Sequence, residues 1–126
     1  LSDSLQQLHE NVAVYRNDSI TINEIKQLRP SAIITSPGPK TPRQAGITMQ
    51  VIENFHHKIP MLGICLGFQA IGEFFGAALH KADYPMHGKT SFIHHNSSAL
   101  FQNVSNPFMA MRYHSLMLKN INEKEI

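Results

Sequence analysis

Gly63-Ile64-Cys65-Leu66-Gly67 is the segment of this sequence best suited to chemistry. It holds the chain's one cysteine with a glycine two residues before it and another two residues after it. An apolar run suited to a buried strand leads in, and a run with helical spacing leads out. This is the pattern of a nucleophile elbow with cysteine in place of serine. A sharp strand-to-helix turn needs small flanking residues, and it lifts the central side chain above the carboxyl edge of a sheet, where open parallel sheets bind ligands. A helix starting at Leu66 would aim its positive end and free amides at the sulfur, which favours the attacking thiolate. The same amides can hold an oxyanion. A lone cysteine in an apolar stretch is more often a small buried hydrophobe. Here the glycine spacing argues for reactivity, as does a proline-rich loop, Ser36-Pro37-Gly38-Pro39-Lys40-Thr41-Pro42, expected at the same sheet edge with Gly38 as part of a backbone cradle.

A thiolate nucleophile wants a base, and the chain has eight histidines. His9, His56, His57 and His80 fall at expected helix faces or ends and read as solvated. His87, in Met86-His87-Gly88-Lys89, and His114, in Arg112-Tyr113-His114-Ser115, sit in loop-like contexts and are the candidates for a general base. His94 and His95 are adjacent, so in a strand they point to opposite faces and cannot chelate one metal together. No metal site and no cofactor is expected.

The elements that would position these groups can be read from periodicity. Leu1, Leu5 and Leu8 share a helical face, and Val12-Ala13-Val14-Tyr15 has the character of a short buried strand. Thr21 and Glu24 form a capping box for a helix with Ile22, Ile25 and Leu28 on its buried stripe, closed by Pro30. Ala32 to Thr35 reads as a second strand. The proline loop cannot be regular structure, because its prolines lack donors and fix the backbone. Ile47, Val51 and Phe55 mark another helix, Pro60 interrupts, and Met61 to Ile64 is a third strand running into Cys65. Phe68, Ile71 and Phe75 predict a helix over 66–75, ended by Gly76. Strands are expected near Ala78-Ala82, Thr90-His94, Phe108-Tyr113 and Leu116-Lys119. The first half therefore predicts an α/β fold with an open, mostly parallel sheet covered by helices on both faces, and the second half an antiparallel extension.

Composition narrows the partners. With 126 residues, 42% hydrophobic and 16% charged, the chain is at most one ordinary globular domain. A formal net charge of +2, spread along the sequence, gives no case for nucleic acid or a membrane surface. No apolar run approaches the roughly 20 residues that cross a bilayer, and no charged-then-apolar leader opens the chain. The expected compartment is cytoplasmic. One cysteine excludes an internal disulfide.

Four segments together carry a resemblance: Ser36-Pro37-Gly38-Pro39, Gly63-Ile64-Cys65-Leu66-Gly67-Phe68-Gln69, Met86-His87-Gly88-Lys89-Thr90-Ser91 and Arg112-Tyr113-His114-Ser115-Leu116. Their order and spacing resemble the class I, triad-type glutamine amidotransferases, most of all the glutaminase subunits of anthranilate synthase and aminodeoxychorismate synthase. The likeness runs over nearly the whole chain, including Arg16-Asn17-Asp18 and Ala45-Gly46-Ile47. It implies a flavodoxin-like fold, with residues 1–126 as a partial glutamine amidotransferase domain. It also implies a glutaminase in which Cys65 attacks the side-chain amide of L-glutamine and forms a glutamyl thioester. The ammonia would pass to a chorismate-binding large subunit, in a heterodimer or heterotetramer serving tryptophan or folate biosynthesis. By the same likeness, Gly38, Pro39, Lys40 and the Leu66 amide form the oxyanion and glutamine cradle, and Gln69 with the Ser115 and Leu116 backbone holds the amino-acid end of glutamine. His114 then belongs to the binding strand rather than to the base position, and His87-Gly88-Lys89 faces the large partner.

Three departures from the family pattern stand out. The family's base and its orienting acid come from a later His-Pro-Glu motif that does not occur in these residues, and an Ile-Asp-Asn-Tyr-Asp-like first strand is absent as well. A fragment lacking both ends, inactive as it stands, is the expectation. Such a segment would leave Ile33, Ile34 and Leu62 partly uncovered, at about 25 cal/mol per Å² of apolar area, and is expected to fold poorly alone. Locally, Lys40 stands where glycine or cysteine is commoner and Phe68 where histidine is commoner; Phe68 is expected in the core. Two other function classes fit the same residues: a non-catalytic relative acting as a binding or regulatory module, and a glutaminase or γ-glutamyl hydrolase of another pathway.

Overall fold

The structure is a computed structural model that describes residues 1–8 and 11–122. Helix α1 spans Ser2–Gln7 and buries none of its residues, with Leu1 and Leu8 exposed. His9 lies outside the described residues. Val12 to Tyr15 is not a strand. The segment has no ladder partner among the described residues, and Val14 and Tyr15 lie open to solvent. An apolar run becomes a strand only where another backbone receives its hydrogen bonds, and no described segment does so here.

Helix α2, Ile22–Leu28, begins at the expected capping box. The Thr21 side chain accepts from the Glu24 amide and the Glu24 carboxylate accepts from the Thr21 amide at 2.8 Å. It ends at Arg29 in the left-handed region, just before Pro30. Strand β1, Ile33–Thr35, pairs in parallel with β2, Met61–Gly63, with Ile33 opposite Met61, Ile34 opposite Leu62 and Thr35 opposite Gly63. Between them come a 3₁₀ turn at Pro42–Gln44 and helix α3, Thr48–Phe55. This βαβ unit puts the carboxyl ends of both strands at one edge. Its core cluster is Ile25 of α2 with Val51 and Phe55 of α3, against which Ile33 and Met61 pack. Ile33 and Ile34 are only half-buried, and Leu62, on the alternate face of the pleat, is 38% exposed, so all three are partly uncovered as expected.

Helix α4, Leu66–Phe74, stops at Phe75 and Gly76, and Gly76 has φ +86°. Its buried residues are Leu66, Gly67, Gln69, Ala70 and Gly72. The face predicted from Phe68, Ile71 and Phe75 is not the inward one, and Phe68, expected in the core, is 47% exposed. Small residues win that face because α4 approaches the sheet too closely for larger ones. A Cβ added at Gly67 would run into the Thr35 carbonyl and hydroxyl oxygens.

The second half forms its own two-stranded antiparallel sheet rather than an extension of the first. The four strands expected there merge into two long ones, β3, Ala78–Ile93, and β4, Phe108–Lys119. Gly72 of α4 meets the side chain of Leu118 on β4, which joins this ribbon to the βαβ unit. No helix among the described residues is long and apolar enough to cross a membrane.

Candidate active site

Strand β2 ends at Gly63, and two residues later the chain turns into α4. Cys65 makes the turn with φ 55° and ψ −107° as the N-cap of α4. A side chain with positive φ at a non-glycine position stores about 1–3 kcal/mol of strain and persists only where its surroundings impose it. The surroundings here are two glycines in contact. A Cβ on Gly63 would lie 2.5 Å from the carbonyl group of Gly67 and the amide nitrogen of Phe68. Ile64 donates its N–H to the Thr35 carbonyl at 2.9 Å, and Gly67 donates to the Ile64 carbonyl at 3.1 Å. Thr35, which the sequence reading passed over, thus fixes the turn from the neighbouring strand. Its signal was its place as the last residue of β1, level with Gly63.

The result of the turn is an exposed thiol. Leu66, the first helical residue, has an N–H with no intrahelical acceptor. Gln69 donates its own amide to the Cys65 carbonyl at 3.0 Å and is the buried polar residue of the helix, 7% exposed.

The proline loop lies at the same edge. A Cβ on Gly38 would come within 2.9 Å of the Leu66 side chain, so Gly38 lies against the start of α4, with Pro39 and Lys40 next in the chain. Lys40 is exposed with φ +70°. It adopts the left-handed conformation that glycine takes without cost, and its backbone course is therefore the one a glycine would follow. Arg43, in the 3₁₀ turn, reaches Glu73 of α4 at 3.4 Å and fastens the far end of the loop. Two further motifs meet nearby: Ile47 donates its N–H to the Asn17 carbonyl at 3.2 Å. Gly46, with φ +55°, leaves no room for a Cβ against that carbonyl, only 2.5 Å away.

Ser115 and Leu116 sit on β4, away from the elbow in sequence, and neither is hydrogen-bonded to Cys65, Leu66 or Gln69 among the described residues. The register explains why Ser115 is still of interest. Lys81 is opposite Leu116 and Met86 opposite His114, so Ala82, Asp83, Tyr84 and Pro85 on β3 face Ser115 alone. That bulge leaves Ser115 without a regular partner residue in the ladder. A second, one-residue bulge falls at Gly88, between His87 and Lys89, with φ +69°.

The histidines sort clearly. His114 has both ring nitrogens engaged, Nε2 accepting from Arg112 Nε at 3.1 Å and Nδ1 lying 3.2 Å from the Leu116 carbonyl. It is not a base for Cys65. His87 is exposed on β3 opposite Tyr113, with no bond to the thiol. His56, His57 and His80 are exposed. His95 stacks on Phe101 at 4.6 Å and His94 is exposed; both lie beyond the end of β3 at Ile93, so strand alternation does not set their directions. Arg112, given no role of its own in the sequence, is the residue that orients His114.

Known proteins are similar to this chain in sequence and in fold. The family model for class I glutamine amidotransferases matches residues 1–126. Anthranilate synthase component 2 of Pyropia yezoensis is 49% identical over 122 residues, covering 97% of this chain and 65% of that protein. The aminodeoxychorismate/anthranilate synthase component 2 of Bacillus subtilis is 48% identical over 115 residues, covering 91% and 59%. Aminodeoxychorismate synthase component 2 of Escherichia coli K12 is 44% identical over 113 residues, covering 90% and 60%. The chain thus spans about three-fifths of the length of these curated relatives. Among solved structures, a GMP synthase component from Thermoplasma acidophilum superposes with a TM-score of 0.76 at 24% identity, covering 96% of this chain and 60% of that one. That likeness supports the α/β fold.

Proposed function

The chain belongs to the class I glutamine amidotransferase family, and from that premise we propose that its protein is the glutaminase subunit of a chorismate-using synthase. The Cys65 sulfur attacks the side-chain carbonyl carbon of glutamine. The carbonyl oxygen becomes an oxyanion held by the Leu66 amide and the backbone of the Gly38-Pro39-Lys40 loop. The carbon–nitrogen bond then breaks, the nitrogen leaves as ammonia with the proton given up by the thiol, and a glutamyl thioester remains. Water cleaves the thioester to glutamate and restores the thiol. Gln69 and the Ser115 and Leu116 backbone hold the amino-acid end of glutamine. No described histidine is hydrogen-bonded to Cys65, so the proton-moving histidine and acid of the mechanism are not assigned to any described residue.

The observation that supports this reading most is the turn at Cys65: a strained, exposed thiol at the start of a helix, hemmed in by Gly63 and Gly67. The names of the relatives, component 2 of anthranilate and aminodeoxychorismate synthases, support delivery of the ammonia to a larger, chorismate-binding partner. The test is to treat the natural gene product with 6-diazo-5-oxo-norleucine, an electrophilic glutamine mimic, and map the adduct by mass spectrometry. Stoichiometric alkylation of Cys65, prevented by glutamine, is expected. An intact thiol under conditions that inactivate another class I glutaminase would refute the proposal.

A further inference from the structure

Arg112 is half-buried on β4, yet no carboxylate pairs with it among the described residues. Its guanidinium spends its directed donors on neutral acceptors. Nε donates to His114 Nε2 at 3.1 Å, and Nη1 donates to the Ser91 hydroxyl on β3 at 3.2 Å. Guanidinium has no acceptor, so the contact fixes the ring: Nε2 must be bare and the proton must sit on Nδ1. That proton points at the Leu116 carbonyl, 3.2 Å away. One relay, Ser91–Arg112–His114–Leu116, thus crosses the ribbon and anchors a backbone carbonyl.

The anchored carbonyl borders a gap in the ladder. Ser115, between His114 and Leu116, is the residue that four residues of β3 face without a regular pair. The regular register of the ribbon is interrupted at this stretch of backbone, and the relay braces it from the side-chain face.

We infer that Arg112 and His114 are positioning residues for glutamine, and that their hydrogen bonds hold the Ser115–Leu116 backbone in the conformation that receives the substrate's amino-acid end. The inference rests on the glutaminase reading and deepens it. Neither side chain transfers a proton to the reacting atoms, and the effect of losing either is on binding.

Two measurements on the natural gene product test this. Nitrogen NMR of ¹⁵N-histidine-labelled wild type is expected to find His114 in the Nδ1-protonated tautomer, and Arg112→Gln to lose that signature. Steady-state glutamine hydrolysis is expected to give a KM about tenfold higher in Arg112→Gln, with kcat within about twofold, as for the loss of positioned hydrogen bonds that act on binding. Arg112→Lys is expected to raise KM as well, because one ammonium cannot serve both acceptors in the fork geometry. The double variant Arg112→Gln/His114→Phe is expected to be no worse than the poorer single variant, since both break one relay. A wild-type His114 protonated at Nε2 overturns the inference without needing any variant to fold. So does an unchanged KM in variants of an active enzyme. If the wild type hydrolyses no glutamine, the glutaminase reading falls first and this inference with it.

Discussion

Gly67→Ala and Gly72→Ala are the same chemical change in the same helix, and the structure assigns them different costs. Each replaces a helical glycine and so gains about 1 kcal/mol of helix propensity. At Gly72 the nearest atoms to the new methyl all belong to the side chain of Leu118, which can turn about its own bonds. Overpacking of that kind costs about 1 kcal/mol, and the net change is near zero. At Gly67 the methyl meets Thr35, with its carbonyl carbon 2.7 Å away and both of its oxygens closer still. That carbonyl is strand backbone, and its oxygen already accepts from the Ile64 amide at 2.9 Å, so α4 and β1 must separate. A displacement of this sort belongs at the top of the overpacking range, about 3 kcal/mol, and leaves a net loss of about 2 kcal/mol. Urea unfolding of wild type and both variants, with m unchanged, measures the difference. A Gly67→Ala variant as stable as Gly72→Ala would mean that the contact between the elbow and Thr35 is not tight, and the account of why Cys65 is strained would go with it.

Further outcomes follow from the same geometry. Cys65→Gly removes the thiol from a left-handed position and is expected to stabilise the fold by about 1 kcal/mol while abolishing alkylation, as unfolding and mass spectrometry on one sample would establish. Gly88→Ala puts a Cβ on a residue with φ +69° at a bulge and is expected to cost about 1–2 kcal/mol with no effect on the secondary structure seen by circular dichroism. Thr21→Ala breaks the capping box and is expected to cost about 1 kcal/mol, read as a lower urea midpoint. The Thr21 hydroxyl, and after it the Thr21 amide, hold the Glu24 carboxyl below its ordinary 4.5. A depressed folded value means that the contribution is complete above 4.5 and is lost as pH falls through the lower folded value. Melting curves across that window are expected to flatten in Glu24→Gln, and an unchanged pH slope would contradict the assignment.

Much of the site was legible in the residues because its physics is local. The capping box at Thr21 and Glu24, the stiff proline loop and the glycine-flanked thiol each depend on a few neighbours in sequence. Tertiary contacts decided the rest. Val12 to Tyr15 has strand composition but no partner backbone. The inward face of α4 follows Gly67, Ala70 and Gly72 rather than Phe68 and Phe75, because the distance to β1 and β4 selects for size before hydrophobicity. The register of β3 against β4, which excludes Ser115 from the ladder, depends on bulges whose extra residues look like any others in a strand.

The sequence alone determined where a nucleophile could stand, since glycines two before and two after a cysteine constrain the turn whatever surrounds it. Only the tertiary structure decided that Thr35 would clamp that turn from the next strand and that Arg112 would set the tautomer of His114. Both are contacts whose partners are chosen by packing, and packing is a property of distance in space rather than of spacing along the chain.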